Sequence, residues 1–441
     1  MRAYLASAIG VACTAALAVP FASPTVAAPP AAPVEADAVP GSTQSLPLAP
    51  LGPQASDRIA GSTRQGLPPR EVRPFSLVGV VWDDATTELH GTVQVRTRPS
   101  GSRAWSGWQD LETHNHEHAA DPGSAESASR TVRGATAPLW VGASDAVEVR
   151  VQADGTAALP GGLRLELVDP GQDPVDVVAA GPRSSVRDDG DRAPVTGPMT
   201  AEQAASSAVN ADLAPLGATI IPALGKAETE ARLVGFAKPY IGPRPKIVTR
   251  KGWGADEKLR EKNFAYTKSV KTAFVHHTVT GNNYTCKQVP SLLRSIYRYH
   301  VVSSGWRDIG YNFAVDKCGN IYEGRAGGVS KPVQGAHTRG FNTNSMGVAV
   351  LGTFTTKAPP TAAVNAIARL TAWKLGLYGV NPRGTTYLTS GGGNLYKKGT
   401  KVKLKTISGH RDGFATECPG KRLYSKLGTA RTASATLQGR T

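Results

Sequence analysis

The stretch Ile407-Ser408-Gly409-His410-Arg411-Asp412-Gly413-Phe414-Ala415-Thr416-Glu417-Cys418-Pro419-Gly420 places an imidazole and a thiol eight residues apart, on a glycine-rich loop ended by Pro419. Far upstream, Phe274-Val275-His276-His277-Thr278 carries a pair of imidazoles. Two histidines and one thiolate make a three-ligand zinc set with the fourth position open to water. On an extended strand Phe274, His276 and Thr278 share one face, and Ala273, Val275, His277 and Val279 share the other. The second face is almost wholly apolar, so His276 is expected to face a cleft and His277 to face packing. Zinc in such a set lowers the pKa of its water to about 7 and polarises a carbonyl, which is the chemistry of amide hydrolysis.

Between His276 and His410 come Asp308-Ile309-Gly310-Tyr311-Asn312-Phe313, Tyr322-Glu323-Gly324-Arg325, Gly335-Ala336-His337-Thr338 and Asn342-Thr343-Asn344-Ser345-Met346-Gly347. In that order, from about Ile247 to about Leu427, the chain resembles the peptidoglycan recognition protein family, which shares its fold with zinc-dependent N-acetylmuramoyl-L-alanine amidases of the phage-lysozyme type. The resemblance implies His276, His410 and Cys418 as zinc ligands. It implies Tyr311 as the donor to the developing oxyanion, a position that separates active members from binders. It implies a role for Thr416, where phage members carry lysine and many animal members threonine, in orienting water or binding the intermediate. His337, Thr338, Asn342 and Asn344 match groove-lining positions, and His337 could also support a ligand from behind. The segment Arg325 to Pro332 departs from animal members, which leaves peptide specificity open. No carboxylate offers itself as general base: Gly347-Val348-Ala349-Val350 stands where some relatives have Glu.

Other histidines read differently. His114-Asn115-His116-Glu117-His118 could hold a metal if its three imidazoles shared a strand face, but it runs into Ala-Ala-Asp-Pro-Gly-Ser. That is loop composition, and a solvated loop is expected. His300 falls on the apolar stripe Leu293, Ile296, Tyr297 of a helix expected over Gln288–His300 and is read as packed.

The chain has 441 residues and a formal net charge of +16. That length predicts two or three domains. A basic balance attracts polyanions, and anionic wall polymers fit it; aromatics are few and do not alternate with Lys/Arg runs, which argues against nucleic acid. Met1-Arg2, an apolar alanine-rich run to about Phe21 and small residues to Ala28 read as a secretory signal peptide. The alternative is a retained membrane anchor, for which the run is short; no later stretch could span a bilayer. Gly10 disfavours lipid attachment at Cys13. Past the signal three cysteines remain. If Cys418 is a metal ligand, Cys286 and Cys318 form the disulfide expected of a secreted chain.

The expected organisation is multidomain: signal peptide 1–28, Ala/Pro-rich spacer 29–70, an all-β sandwich-like domain 71–170, linker 171–244, an α/β domain 245–430 with a central mixed sheet and flanking helices, and a tail 431–441. Period-two runs at Thr92–Arg98, Val147–Gln152 and Leu163–Leu167 support the sandwich. Trp105, Trp108 and Trp140 are expected in its core rather than on a sugar-stacking face. A short helix is expected near Ala201–Val209 within an otherwise loose tether. The function expected is a secreted zinc amidase cutting between N-acetylmuramoyl and L-alanine. The alternatives are a non-catalytic peptidoglycan-binding protein, in which the family commonly loses the cysteine or the first histidine, and a zinc endopeptidase acting within the stem peptide.

Overall fold

Strand pairing divides the chain between two large sheets. The computed structural model describes residues 40–52, 64–113, 115–129, 131–173, 199–232 and 240–441. The expected signal peptide, His114 and the middle of the expected linker lie outside the described residues.

The first sheet is antiparallel and built on β1 (Pro40–Pro47), β2 (Arg64–Trp82), β3 (Gly91–Pro99), β4 (Gln109–Leu111), β5 (Leu139–Ala153) and β6 (Arg164–Gly171). Its order is β1-β6-β2-β5-β3-β4, with two-residue strands at Ala49–Pro50 and Gly134–Ala135 added against β2. Alternation buries Val78, Val80, Val93, Val149 and Leu165 in one core. Register shifts at Leu67/Arg70, Glu71/Phe75 and Phe75/Leu77 bend the long β2, as bulges do. The domain therefore starts earlier than residue 71. β1 pairs with β6 from Pro40↔Gly171 to Pro47↔Arg164. It is an edge strand, where proline is tolerated, so its composition reads as spacer while a partner 120 residues away makes it a strand. Trp140 is buried, though not in this core: it packs in the cluster shared with the C-terminal half. Trp105 and Trp108 are only half-buried; the Arg96 guanidinium lies 5.3 and 5.1 Å from their ring centres.

The second sheet has seven strands: β7 (Ile220–Ile221), β8 (Ile247–Val248), β9 (Thr272–His277), β10 (Phe313–Val315), β11 (Ile321–Glu323), β12 (Ser345–Val350) and β13 (Ile407–Gly409). Their order is β13-β9-β12-β10-β11-β8-β7. β9 runs parallel to both β12 and β13, and β10 pairs antiparallel with β11, so the sheet is mixed as expected. Cys286 and Cys318 form a disulfide. Flanking helices include α1 (Ala201–Ala208), α2 (Val289–Arg298), α3 (Thr361–Leu377) and α4 (Leu427–Leu437). Thr200 starts α1 with a reciprocal capping box to Gln203.

Two expectations about boundaries fail. Much of the expected linker is built into the C-terminal half: β7 extends its sheet, Ser206 donates to Glu257 and Asn210 donates to Glu323, both buried. The expected tail is the helix α4, which buries Ala430, Ser434 and Ala435, with Thr371 of α3 donating to Ser434. Small and polar residues hid both segments, because their burial depends on surfaces far away in sequence.

The two halves share a core. Val78 and Val80 face inward in the β domain, while Leu77 and Val81 of the same strand point the other way, into a cluster with Trp140, Val168 and the α2 residues Val289, Leu292, Leu293 and Ile296. Tyr299 donates to the carbonyl of Thr136, and Ser303 to Glu166. At Gly305, φ is +74° and an added Cβ would lie 1.8 Å from the Thr131 carbonyl oxygen. Only glycine allows this approach.

Candidate metal centre

β9 ends at His276 and His277, and β13 beside it runs directly into His410. After His410 the chain turns and returns, closed by the Arg411 amide donating to the Cys418 carbonyl at 3.0 Å. This turn brings the thiol back under the histidines. Sγ of Cys418 is 3.8 Å from Nδ1 of His276 and accepts from the His277 amide at 3.4 Å. The rings of His276 and His410 are 4.5 Å apart. Zn–S of about 2.3 Å and Zn–N of about 2.0 Å at a tetrahedral angle separate S and N by roughly 3.5 Å, so the spacing fits one zinc. Both ring nitrogens of His410 are buried without a hydrogen-bond partner. Such atoms are costly unless something binds them. Burial, then neighbouring imidazoles, pushes His276 and His410 well below the ordinary histidine range, so both are neutral. Burial pushes the Cys418 thiol up, with the Glu117 charge second. A cation beside it is what would favour the thiolate. The residues fit a zinc ion.

His337 supports His276 from behind, its Nδ1 3.2 Å from His276 Nε2. Gly347 makes room for that ring: a Cβ there would lie 2.4 Å from His337 Cγ. Asn342 Oδ1 accepts from the amides of His337 and Thr338. Tyr311 is buried, its ring 5.5 Å from that of His276. His277 stays out of the ligand cluster, with Nδ1 accepting from the Phe354 amide, and His300 is stacked on Trp306 at 4.5 Å; contrary to expectation it is His277, not the fully buried His276, that lines the adjoining cavity.

The segment expected to be a solvated loop is not one. His118 is buried, its Nε2 is 3.7 Å from Cys418 Sγ, and its ring lies 4.5 Å from that of His410. One ligand atom from each of His118, His276, His410 and Cys418 lies within 4.8 Å of the others. Thr416 donates to the Glu117 carboxylate and accepts from the Cys418 amide. Burial raises Glu117 to about 8. Asp121 accepts from the amides of Gly340 and Asn342 and from the Asn342 side chain, and Glu126 pairs with buried Arg325 at 2.8 and 2.9 Å. Loop composition misled here because the burial comes from the other half of the chain. The one available signal was the His-x-His-x-His run itself.

The expected groove residues need correction on the same ground. His337, Thr338 and Asn342 are fully buried, and the side chain of Asn342 is taken by Asp121 and the Ala119 carbonyl. Asn344 is not brought to the cluster. With φ +59° it turns the chain before β12, at the end of the strand where Ser345 pairs with Thr272, and its side chain accepts from the Ser269 amide. A cavity of about 570 Å³ adjoins the cluster. Glu112, His116, Glu117 and His118 wall it on one side and Tyr311, Thr416 and Cys418 on the other, whereas neither His276 nor His410 lines it.

A mixed sheet thus carries a buried His/His/Cys set whose ligand atoms could hold a metal ion beside a cavity. Residues 266–421 match the family described as N-acetylmuramoyl-L-alanine amidase, and residues 29–180 match one described as Rv3811 N-terminal galactose-binding domain-like. Peptidoglycan-recognition protein SC2 of Drosophila simulans is 30% identical over 183 residues, 42% of this chain and 85% of that protein. The N-acetylmuramoyl-L-alanine amidase of Homo sapiens is 30% identical over 209 residues, 46% of this chain and 31% of that protein. The solved Drosophila PGRP-LB is 26% identical and covers 42% of this chain and 92% of its own, with a TM-score of 0.33. Through its C-terminal half the chain belongs to the peptidoglycan-recognition protein and type 2 N-acetylmuramoyl-L-alanine amidase family.

Proposed function

We propose that the chain is a secreted, zinc-dependent peptidoglycan hydrolase that cleaves the amide between N-acetylmuramic acid and L-alanine of the stem peptide. The observation that carries this reading is the meeting of His276, His410 and Cys418, from separate strands and a returning loop, with the Tyr311 ring beside them. The Cys286–Cys318 disulfide supports an oxidising compartment. Among the described residues no helix is long and apolar enough to cross a membrane.

When bound, zinc supplies a Lewis acid for the scissile carbonyl and activates water. His276, His410 and Cys418 hold it, and His337 fixes the His276 ring with Nδ1 toward Cys418. Tyr311 donates its hydroxyl to the oxygen on which charge develops. Thr416 orients the attacking water or the intermediate once released from Glu117. Hydrolysis adds hydroxyl to the lactyl carbonyl and a proton to the leaving alanine amine.

The test is mass spectrometry of purified muropeptides after incubation with the full chain and with His118→Ala, which takes the β-domain imidazole out of the cluster. Free stem peptides beginning with alanine are expected from at least the variant, and none from Cys418→Ser. If neither protein releases peptide while both bind peptidoglycan, the non-catalytic reading replaces this one.

A further inference from the structure

His118 is not used by a three-ligand site, yet it stands where a fourth ligand would. Its Nε2 is as close to Cys418 Sγ, at 3.7 Å, as His276 Nδ1 is at 3.8 Å. It also closes the approach. Of the four side chains, His118 and Cys418 line the 570 Å³ cavity and the two other histidines do not. Its delivery is anchored at several described residues beside it and after it in the chain. Glu117 holds Thr416, Asp121 takes three donors from Gly340 and Asn342, Glu126 pairs with Arg325, and Thr131 donates to the Gly305 carbonyl. These contacts occupy the Thr416 hydroxyl and the Asn342 side-chain amide.

We propose that His118 is a protein ligand of the same metal, so that the full chain holds a closed four-ligand site and is latent until the 115–129 segment lifts. Three protein ligands with an open position mark catalytic zinc, and four mark structural zinc. The β domain thus converts one kind of site into the other. Lifting the segment frees the fourth position, releases Thr416 and joins the cavity to the metal. A competing polyvalent ligand on the β domain or in the cavity is the kind of agent that would drive it, since the change must be supplied by differential binding to the open state.

This inference rests on the zinc reading above, and the test separates the two. The full chain is loaded with cobalt(II) and titrated with acetohydroxamate, a small chelator that needs an open position. The visible spectrum of the wild type is expected to stay unchanged, and that of His118→Ala to shift. Zinc competition with a chromogenic chelator should show the Kd of His118→Ala raised at least about tenfold, the lower bound for disturbing even a residue that supports a ligand. Asp121→Ala keeps all four side chains but loses three anchors, and its spectrum should also respond, which guards against misfolding of the first variant. A wild-type spectrum that shifts with acetohydroxamate as readily as that of His118→Ala overturns the proposal. Cys418→Ser monitors the zinc reading separately: persistence of the thiolate–cobalt band in that variant would defeat the three-ligand set, whatever His118 does.

Discussion

Tyr311 and His337 have different proposed tasks beside the candidate metal site. Tyr311 lines the cavity, and in the proposed role its hydroxyl would matter for charge that develops in the transition state, not for the ground-state amide. In the opened His118→Ala background, Tyr311→Phe should keep zinc and lose about 100- to 1000-fold in kcat, or roughly 3–4 kcal/mol. A loss under about fivefold with metal retained would move the donor role elsewhere. Gly347→Ala should act through position alone. Its methyl would displace the His337 ring and release His276, with an expected 10- to 100-fold loss of zinc affinity read by chelator competition. Unaltered affinity would mean His337 does not support the ligand. At this scale His276 was legible because strand alternation separates it from His277, and Cys418 because only a short returning loop parts it from His410. Asn344 was misread because a turn residue and a groove residue have the same polar character. His118 and Glu117 were hidden because a loop's own composition says nothing about the surface that will cover it.

Among the elements, α2 links the halves. Its Leu292 is fully buried in the core shared with Leu77 and Val168 of the β domain. Leu292→Ala should destabilise by about 2–5 kcal/mol, and by the same amount whether unfolding is followed in the β domain or in the C-terminal half. Two separate transitions, only one of them shifted, would contradict a shared core. The amphipathic stripe of α2 was readable from sequence, but not that a second sheet would cover part of it. On α3, Lys374 is buried and donates to the carbonyls of Val329 and Lys331. Burial lowers its pKa to about 7. The unfolded chain then binds more protons than the folded one between about pH 7 and the ordinary lysine value, so stability from this group rises with pH across that window. Lys374→Met should remove that rise. From pH 7 to 9 the wild type is expected to gain at least about 1 kcal/mol over the variant, the worth of one pKa unit being 1.36 kcal/mol. Parallel pH profiles in denaturant titrations would refute it.

For the whole molecule, the main departure from expectation is that the β domain is part of the candidate metal site. A tether was expected because residues 171–244 are rich in alanine, proline, glycine and charge. The described part of that stretch instead adds a strand and two helices to the C-terminal half, and the β domain meets that half through apolar packing and through the segment that carries His118. The proposed metal site therefore spans both halves. X-ray absorption at the zinc edge on the full chain tests it directly. The expected spectrum has one sulfur at about 2.3 Å, nitrogens at about 2.0–2.1 Å and the outer-shell scattering of three imidazoles, falling to two in His118→Ala. A full-chain spectrum without sulfur would contradict the metal site itself, and one with two imidazoles in both proteins would contradict its closure by His118.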